Sequence, residues 1–167
     1  ADSPLALLEY VMKQGWGDGL PVIPPTEEQV AAMVEASGRP PTESHGRIPH
    51  LFGDATIEKI ATNAVVAGCK PEYMPILITA VDAIFDPIYN LPGVQGTTNC
   101  IAQLIVVHGP ARHALGINCK VNLFGQGWRA NATIGRAFRF ILQNIGGAIP
   151  GDTDRSTFGH QGKFSSC

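Results

Sequence analysis

Charge is what this sequence has least of. Asp, Glu, Lys and Arg make up 16% of its 167 residues, against about 25% in ordinary soluble domains. A surface so lean in charge points to burial of part of it against another chain. The 12 basic and 14 acidic residues leave a net charge of −2, and no basic run exists that could neutralise a row of phosphates. Nucleic acid is therefore excluded as an expected partner. Long apolar runs are missing as well: residues 75–85 and 101–107 are the longest, well short of the roughly 20 residues a membrane helix needs. The opening Ala-Asp-Ser-Pro-Leu-Ala-Leu-Leu-Glu lacks the charged-then-apolar order of a secretory signal, so a cytoplasmic location is expected unless a leader has been removed. The four cysteines, at 69, 100, 119 and 167, lack the close, regular spacing of a disulfide framework and read as free thiols in a reducing compartment. No repeat, low-complexity tract or nucleotide-cofactor motif is evident.

What is present fits one domain, long enough to bury its own core. The expected fold is α/β, with helices around a small sheet, the chain forming part of a hetero-oligomer. Residues 1–53 supply N-terminal helices and a loop, 54–150 the core and 151–167 a C-terminal segment. A short apolar helix is predicted over 5–12, and Thr26 with Gln29 makes a capping box for a second helix that ends at Gly38. The Pro-, Ser- and His-containing run 39–53 reads as a loop. Asp54 is placed to cap a helix over 55–67, stopped by Gly68, and Pro71 to open the next, reaching Phe85. Residues 101–107, rich in β-branched side chains, read as a buried strand, with a weaker one over 119–124. The most strongly helical stretch, 129–145, follows Gly125-Gln-Gly127 and closes at Gly146-Gly147.

Three constellations could carry chemistry. The turn from Gly125 through Gly127 to Asn131 feeds a helix N-terminus, where unpaired N–H groups and the helix dipole attract an anion. Arg129 adds a fixed cation there, with Arg136 and Arg139 on the same broad face, a set able to hold a small carboxylate. A solvated helix edge, or salt bridges at an interface, would use the same residues. The second constellation is the polar run Gln95-Gly96-Thr97-Thr98-Asn99-Cys100 at the mouth of the predicted strand, with Asn118-Cys119 before the next. Thr98 and Asn99 are candidate substrate ligands, and Cys100 and Cys119 candidate thiol catalysts or structural cysteines. Cys69, behind a helix-stopping glycine, reads as structural, and His108 and His113 as loop histidines. The third is His160 with Cys167, a pair that could chelate a soft transition metal, or a processing boundary with no chemistry of its own.

Four segments carry a resemblance: Gly15-Trp-Gly-Asp-Gly-Leu-Pro-Val-Ile-Pro-Pro-Thr, Ala61-Thr-Asn-Ala-Val-Val-Ala-Gly-Cys, Arg129-Ala-Asn-Ala-Thr-Ile-Gly-Arg-Ala and Gly162-Lys-Phe-Ser-Ser-Cys. Together they resemble a bacterial family of cleaved-precursor proteins. Those proteins work with partners bearing a selenocysteine or cysteine in a Gly-Ser-Cys motif, in a manner similar to glycine and D-proline reductases. The resemblance implies an upstream, alpha-type subunit bound to the downstream cleavage product. It suggests reductive or eliminating cleavage with Cys167 as the thiol; the turn at Gly125–Asn131 with Arg129 makes a small anionic, carboxylate-bearing molecule the expected substrate, and Cys100, Cys119 and His160 are the expected companions of Cys167 in the active site. Pyruvoyl-forming reductase precursors are cut before their cysteine, whereas Cys167 here lies on the upstream piece, so no pyruvoyl group is expected. The alternatives are a metal-dependent hydrolase or hydratase using Cys167 and His160, and a non-catalytic scaffold subunit.

Overall fold

The computed structural model describes residues 3–167. Helix α1 (Pro4–Lys13) starts where the Ser3 hydroxyl accepts from the Ala6 amide and Pro4 presets the first turn. Helix α2 (Glu27–Ser37) is capped by Thr26 accepting from the Gln29 amide and stopped by Gly38 in the left-handed region, as its sequence predicts. Strands β1 (Ser44–Ile48) and β2 (Gly53–Thr56) form an antiparallel hairpin. Helix α3 (Ile57–Ala67) follows directly, then a 3-10 turn opened by Pro71, α4 (Met74–Ala83), the short α5 (Leu91–Gln95) and α6 (Pro110–Ala114), and the long α7 (Arg129–Asn144).

The core is helical. Ile57, Ile60, Ala61 and Ala64 of α3 meet Ile134, Ala137, Phe138 and Ile141 of α7, with Met74, Leu77 and Val81 of α4 closing the third side. These positions recur at three- and four-residue steps, the period that gathers one helix face into a stripe. The result is a single domain of mixed helices with a small sheet.

That sheet is not where the sequence puts it. The run 39–53, read as a loop, contains β1 and the turn of the hairpin, and Asp54 lies in β2, so Thr56 caps α3 by accepting from the Lys59 amide. The hairpin is held by the end of α7 rather than by alternating side chains, which is why its sequence shows no period. The Leu51 amide donates to the Gly146 carbonyl, and a Cβ on Gly53 would lie 2.2 Å from the Ile145 carbonyl oxygen. Residues 101–107 form no strand with any described segment, and 119–124 is a series of turns. From Gln103 to His108 the chain alternates between half-buried and exposed residues, the period of an extended backbone. Ile105 and Val107 pack on the core while Leu104 and Val106 face outward.

The N-terminal third is fastened to α7 by one ion pair. The Arg136 guanidinium donates from Nε and Nη2 to the two carboxylate oxygens of Asp18, each at 2.7 Å. It also reaches the carbonyls of Leu20 and Pro21 and lies 5.1 Å from the centre of the Phe140 ring. Both side chains are largely buried, so removing Asp18 leaves a guanidinium largely out of water with no counter-charge and only main-chain carbonyls as partners. Asp18→Ala should therefore lower the unfolding free energy by about 3–5 kcal/mol, read as a shift of the urea midpoint. A change below about 1 kcal/mol, the scale of an exposed pair, would show that the clamp contributes little.

Candidate functional site

The first turn of α7 divides two cavities. Trp128 precedes it without a side-chain cap, so the Arg129, Ala130 and Asn131 amides lack the partners that a Ser or Asp cap would supply. The turn leading in is tight: a Cβ on Gly125 would lie 1.8 Å from Oδ1 of Asn122, and Gly127 has φ +113°. Both glycines are needed for the backbone to pass.

On one side lies a cavity of about 210 Å³ walled by Leu123, Phe124, Gly125, Gln126, Asn131, Ala132, Ser165 and Cys167. Asn131 organises it. Its Oδ1 accepts from the Asn118 amide at 2.8 Å, and its Nδ2 donates to the Asn118 carbonyl at 3.0 Å and to the Cys167 carbonyl at 2.6 Å. The Ser165 hydroxyl donates to the Asn131 carbonyl. Gly135, one turn on, admits this segment, since a Cβ there would lie 2.5 Å from Oγ of Ser165 and the Ser166 amide. Gly125, Asn131 and Cys167, distant in sequence, thus share one wall.

On the other side Arg129 turns away from that cavity. Its Nε donates to the Gly68 carbonyl at 3.1 Å, and its terminal nitrogens have no protein partner among the described residues. Arg129 lines a second cavity, of about 330 Å³, whose walls are Ile23, Ala32, Met33 and Val65 with the polar Gln29 and Cys69. The expected union of Arg129, Arg136 and the glycine turn in one anion site is corrected here. Arg136 is bound to Asp18, and Arg139 donates to Asp154 and the Ala148 carbonyl, which leaves Arg129 as the cation of this set without an acidic partner.

The thiols fall into two kinds. Cys69 and Cys167 are buried and Cys100 and Cys119 exposed. Burial pushes the Cys69 thiol up to about 12, with a further push from nearby Cys167 and opposing pulls from its hydrogen bond to Thr133 and from Arg129 and Arg136. Burial pushes Cys167 up to about 11. Both are therefore held as neutral thiols near pH 7, whereas the expected chemistry at Cys167 needs a thiolate. Cys119 is set differently: a guanidinium nitrogen of Arg112 reaches its sulfur, and the other lies 2.7 Å from Nε2 of His113. Nothing in the sequence marks Arg112 as its neighbour, because a turn separates them.

The polar run at 95–100 fastens the C-terminal segment instead of opening to a ligand. The Thr98 carbonyl accepts from Thr157, that of Asn99 from the Ser156 hydroxyl, and that of Cys100 from His160. His160 accepts the Gly162 amide at Nδ1 and donates from Nε2, so both ring nitrogens are engaged and the expected metal pair with Cys167 is not assembled. Among the described residues no three His, Cys, Asp or Glu side chains gather with metal-ligand geometry. Asp154 staples the same segment: burial alone would raise its carboxyl, but Lys163, Ser156 and Arg139 hold it below the ordinary carboxylate value.

No family model, no curated protein and no solved structure matches this chain.

Two measurements follow. Alkylation with iodoacetamide at neutral pH should modify Cys100 and Cys119 in the folded protein and spare Cys69 and Cys167, mapped by peptide mass spectrometry; labelling of Cys167 at the rate of Cys119 would contradict the burial argument. The linkage has opposite signs at the two ends of the pH scale. Cys69 and Cys167 keep protons that the unfolded chain loses near 9.0, so stability declines as pH rises from about 9 toward the folded values. The Asp154 contribution is present above the ordinary 3.8 and disappears as pH falls through the lower folded value. Asp154→Asn should flatten the acid limb of a stability–pH curve and leave the alkaline limb intact.

Proposed function

We propose that this chain is the carboxylate-binding, upstream subunit of a bacterial thiol-dependent enzyme that cleaves a small anionic molecule reductively or by elimination, in company with a second polypeptide. The observation that carries the reading is Arg129, whose terminal guanidinium nitrogens have no protein partner among the described residues and which lines a cavity of about 330 Å³ with apolar walls from Ile23, Ala32, Met33 and Val65. A guanidinium with a free edge matches a carboxylate in a planar, two-pronged fashion, and the apolar walls suit a short carbon skeleton. The volume admits only a small ligand.

The thiols complete the reading. Cys119, exposed and in contact with the Arg112 guanidinium, suits the role of attacking thiol. Cys167, kept protonated, suits proton or hydrogen donation. Asn131 ties the two together, holding the backbone of Asn118 next to Cys119 and the carbonyl of Cys167 itself. In a reductive cleavage the two thiols would supply two electrons and end as a disulfide, which an external dithiol must reduce again. In an elimination the thiolate and thiol would exchange protons with no net oxidation. The metal-dependent alternative loses support from the engaged ring nitrogens of His160. A scaffold role predicts that polar substitutions in both cavities are silent.

Calorimetric titration with acetate, propionate and lactate should detect binding that Arg129→Ala weakens by about 1.5–3 kcal/mol, roughly tenfold or more. Arg129→Lys should restore part of it, as a point charge without the planar fork. Equal affinity in wild type and Arg129→Ala, or no binding across the series, would defeat the carboxylate assignment. Turnover that survives Cys119→Ser and Cys167→Ser in the assembled enzyme would defeat the thiol assignment separately.

A further inference from the structure

Helix α2 is lined by a cavity on each of two faces. Gln29, Ala32 and Met33 belong to the cavity beside Arg129. Glu27, Val30, Ala31, Val34 and Glu35, at the three- and four-residue steps of the opposite side, wall a groove of about 550 Å³ that Glu58 and Thr62 of α3 line from across. Val30 and Val34 are half-buried in it, and Pro25 and Pro41 add further apolar surface. The Thr62 hydroxyl already donates to the Glu58 carbonyl at 2.8 Å. The carboxylates of Glu27, Glu35 and Glu58 remain, all of one sign, and among the described residues none of them is in an ion pair. No Lys, Arg or His lines the groove. The nearby cations are engaged elsewhere, Arg39 with Glu43 and Lys59 with the Asp54 carbonyl.

Two of these carboxylates have a local reason for their place. Glu27 and Glu58 stand in the first turns of α2 and α3, where the positive end of the helix dipole favours them. Glu35 stands in the last turn of α2, at the negative end, with no basic residue in that turn to offset it. A carboxylate that costs its own helix stability and lines an apolar groove is explained by a cation held in that groove.

We propose that the groove binds a linear aliphatic polyamine, its methylene chain on Val30 and Val34 and its ammonium groups at the glutamates. Glu27 and Glu35 are eight residues apart, about 12 Å along the helix axis. An extended chain advances roughly 3.5 Å in three bonds, so a chain with about nine bonds between its terminal nitrogens reaches from one glutamate to the other. A single metal ion would need carboxylates gathered about one point, and no such group of three is present among the described residues. The volume is that of a small-molecule site, and a groove along two turns of one helix is too short for a stable protein–protein contact, which takes about 800 Å² from each partner. The groove shares no wall residue with either cavity flanking α7, so this site is independent of the carboxylate reading.

Calorimetric titration of the purified chain at low ionic strength tests the proposal with spermidine, the eight-carbon terminal diamine, the four-carbon terminal diamine, the eight-carbon monoamine, magnesium ion and a lysine-flanked amphipathic peptide. Spermidine and the eight-carbon diamine should bind. The monoamine, lacking the second charge, and the four-carbon diamine, too short to span the groove, should bind at least about threefold more weakly. Magnesium should not compete. Glu35→Gln and Glu58→Gln should each weaken spermidine binding by about threefold to fivefold, the scale of an exposed ion pair, and the two together with Glu27→Gln should abolish it. Glu9→Gln and Glu72→Gln, outside the groove, should leave it unchanged. Glu35→Gln should also raise the urea midpoint, since it removes a carboxylate from the negative end of α2, which separates lost binding from lost folding. No binding of spermidine, equal binding of the monoamine, competition by magnesium or indifference to the three glutamine substitutions would overturn the proposal. Tighter binding of the peptide than of spermidine would assign the groove to a polypeptide and overturn it equally.

Discussion

The side-chain amide of Asn131 makes three hydrogen bonds inside the protein, two to the main chain of Asn118 and one to the carbonyl of Cys167. An amide so deeply buried is costly unless its donors and acceptor are met, and here the partners come from a loop and a segment with no regular structure of their own. Asn131 is the α7 side chain that holds both, while Arg139 through Asp154 adds a second tie to the C-terminal segment. The same helix carries Gly135, whose missing Cβ lets Ser165 and Ser166 approach, and Arg136, which clamps the Gly-Trp-Gly-Asp-Gly loop through Asp18. Within two turns, one helix fixes the N-terminal third, the 118 loop and the C-terminal segment. The smaller cavity lies where the 123–126 turn and the C-terminal segment meet this helix, and the larger where its Arg129 meets Ile23, α2 and the end of α3.

This arrangement explains why the charged groups of α7 separate as they do. Arg129, Arg136 and Arg139 share a broad face by spacing, yet each meets different surroundings. Arg136 points into the buried Asp18 loop, Arg139 toward Asp154, and Arg129 toward the end of α3 at Gly68. Periodicity tells which residues share a face; it says nothing of what has been packed against that face. The acidic partners lie 118 and 15 residues away in sequence, a separation that no local pattern encodes.

The helices were legible because their signals are local. Thr26 with the Gln29 amide, Gly38, Gly68, Pro71 and the apolar steps along α3 and α7 act within a turn or two of where they stand. The hairpin was not, because the force that makes it is the end of α7 at Ile145 and Gly146, about a hundred residues on. Residues 101–107 misled for the converse reason: β-branched content reports a preference for an extended backbone, which the chain adopts, while a strand also needs a neighbour. In the site, Gly125, Asn131 and Cys167 were identified and do share a wall. Cys69, assigned to structure by its setting, shares the second cavity with Arg129, and the Cys119–Arg112 contact carries no sequence mark.

The scarcity of charge with which the sequence opens has a structural counterpart. Some of its few charges act inside the fold: Asp18 with Arg136, and Asp154 with Arg139 and Lys163. What remains for the surface includes many large apolar side chains: Leu5 and Leu51 are about two-thirds exposed, Ile88, Val121 and Phe158 about nine-tenths, and Phe124 and Val106 more than half. A scattered Leu on a monomer needs no account, but a series of large exposed side chains does. Water is a poor neighbour for all of them at once, and the segment 101–107 adds main-chain groups that want a strand. Both features favour covering by polypeptide, and the unpaired main-chain groups fall on the half that also holds Cys100, Cys119 and Cys167. Association and chemistry would then be coupled: a chain seated on that half would exclude water from the thiols and limit the approach of any substrate to the cavities flanking α7.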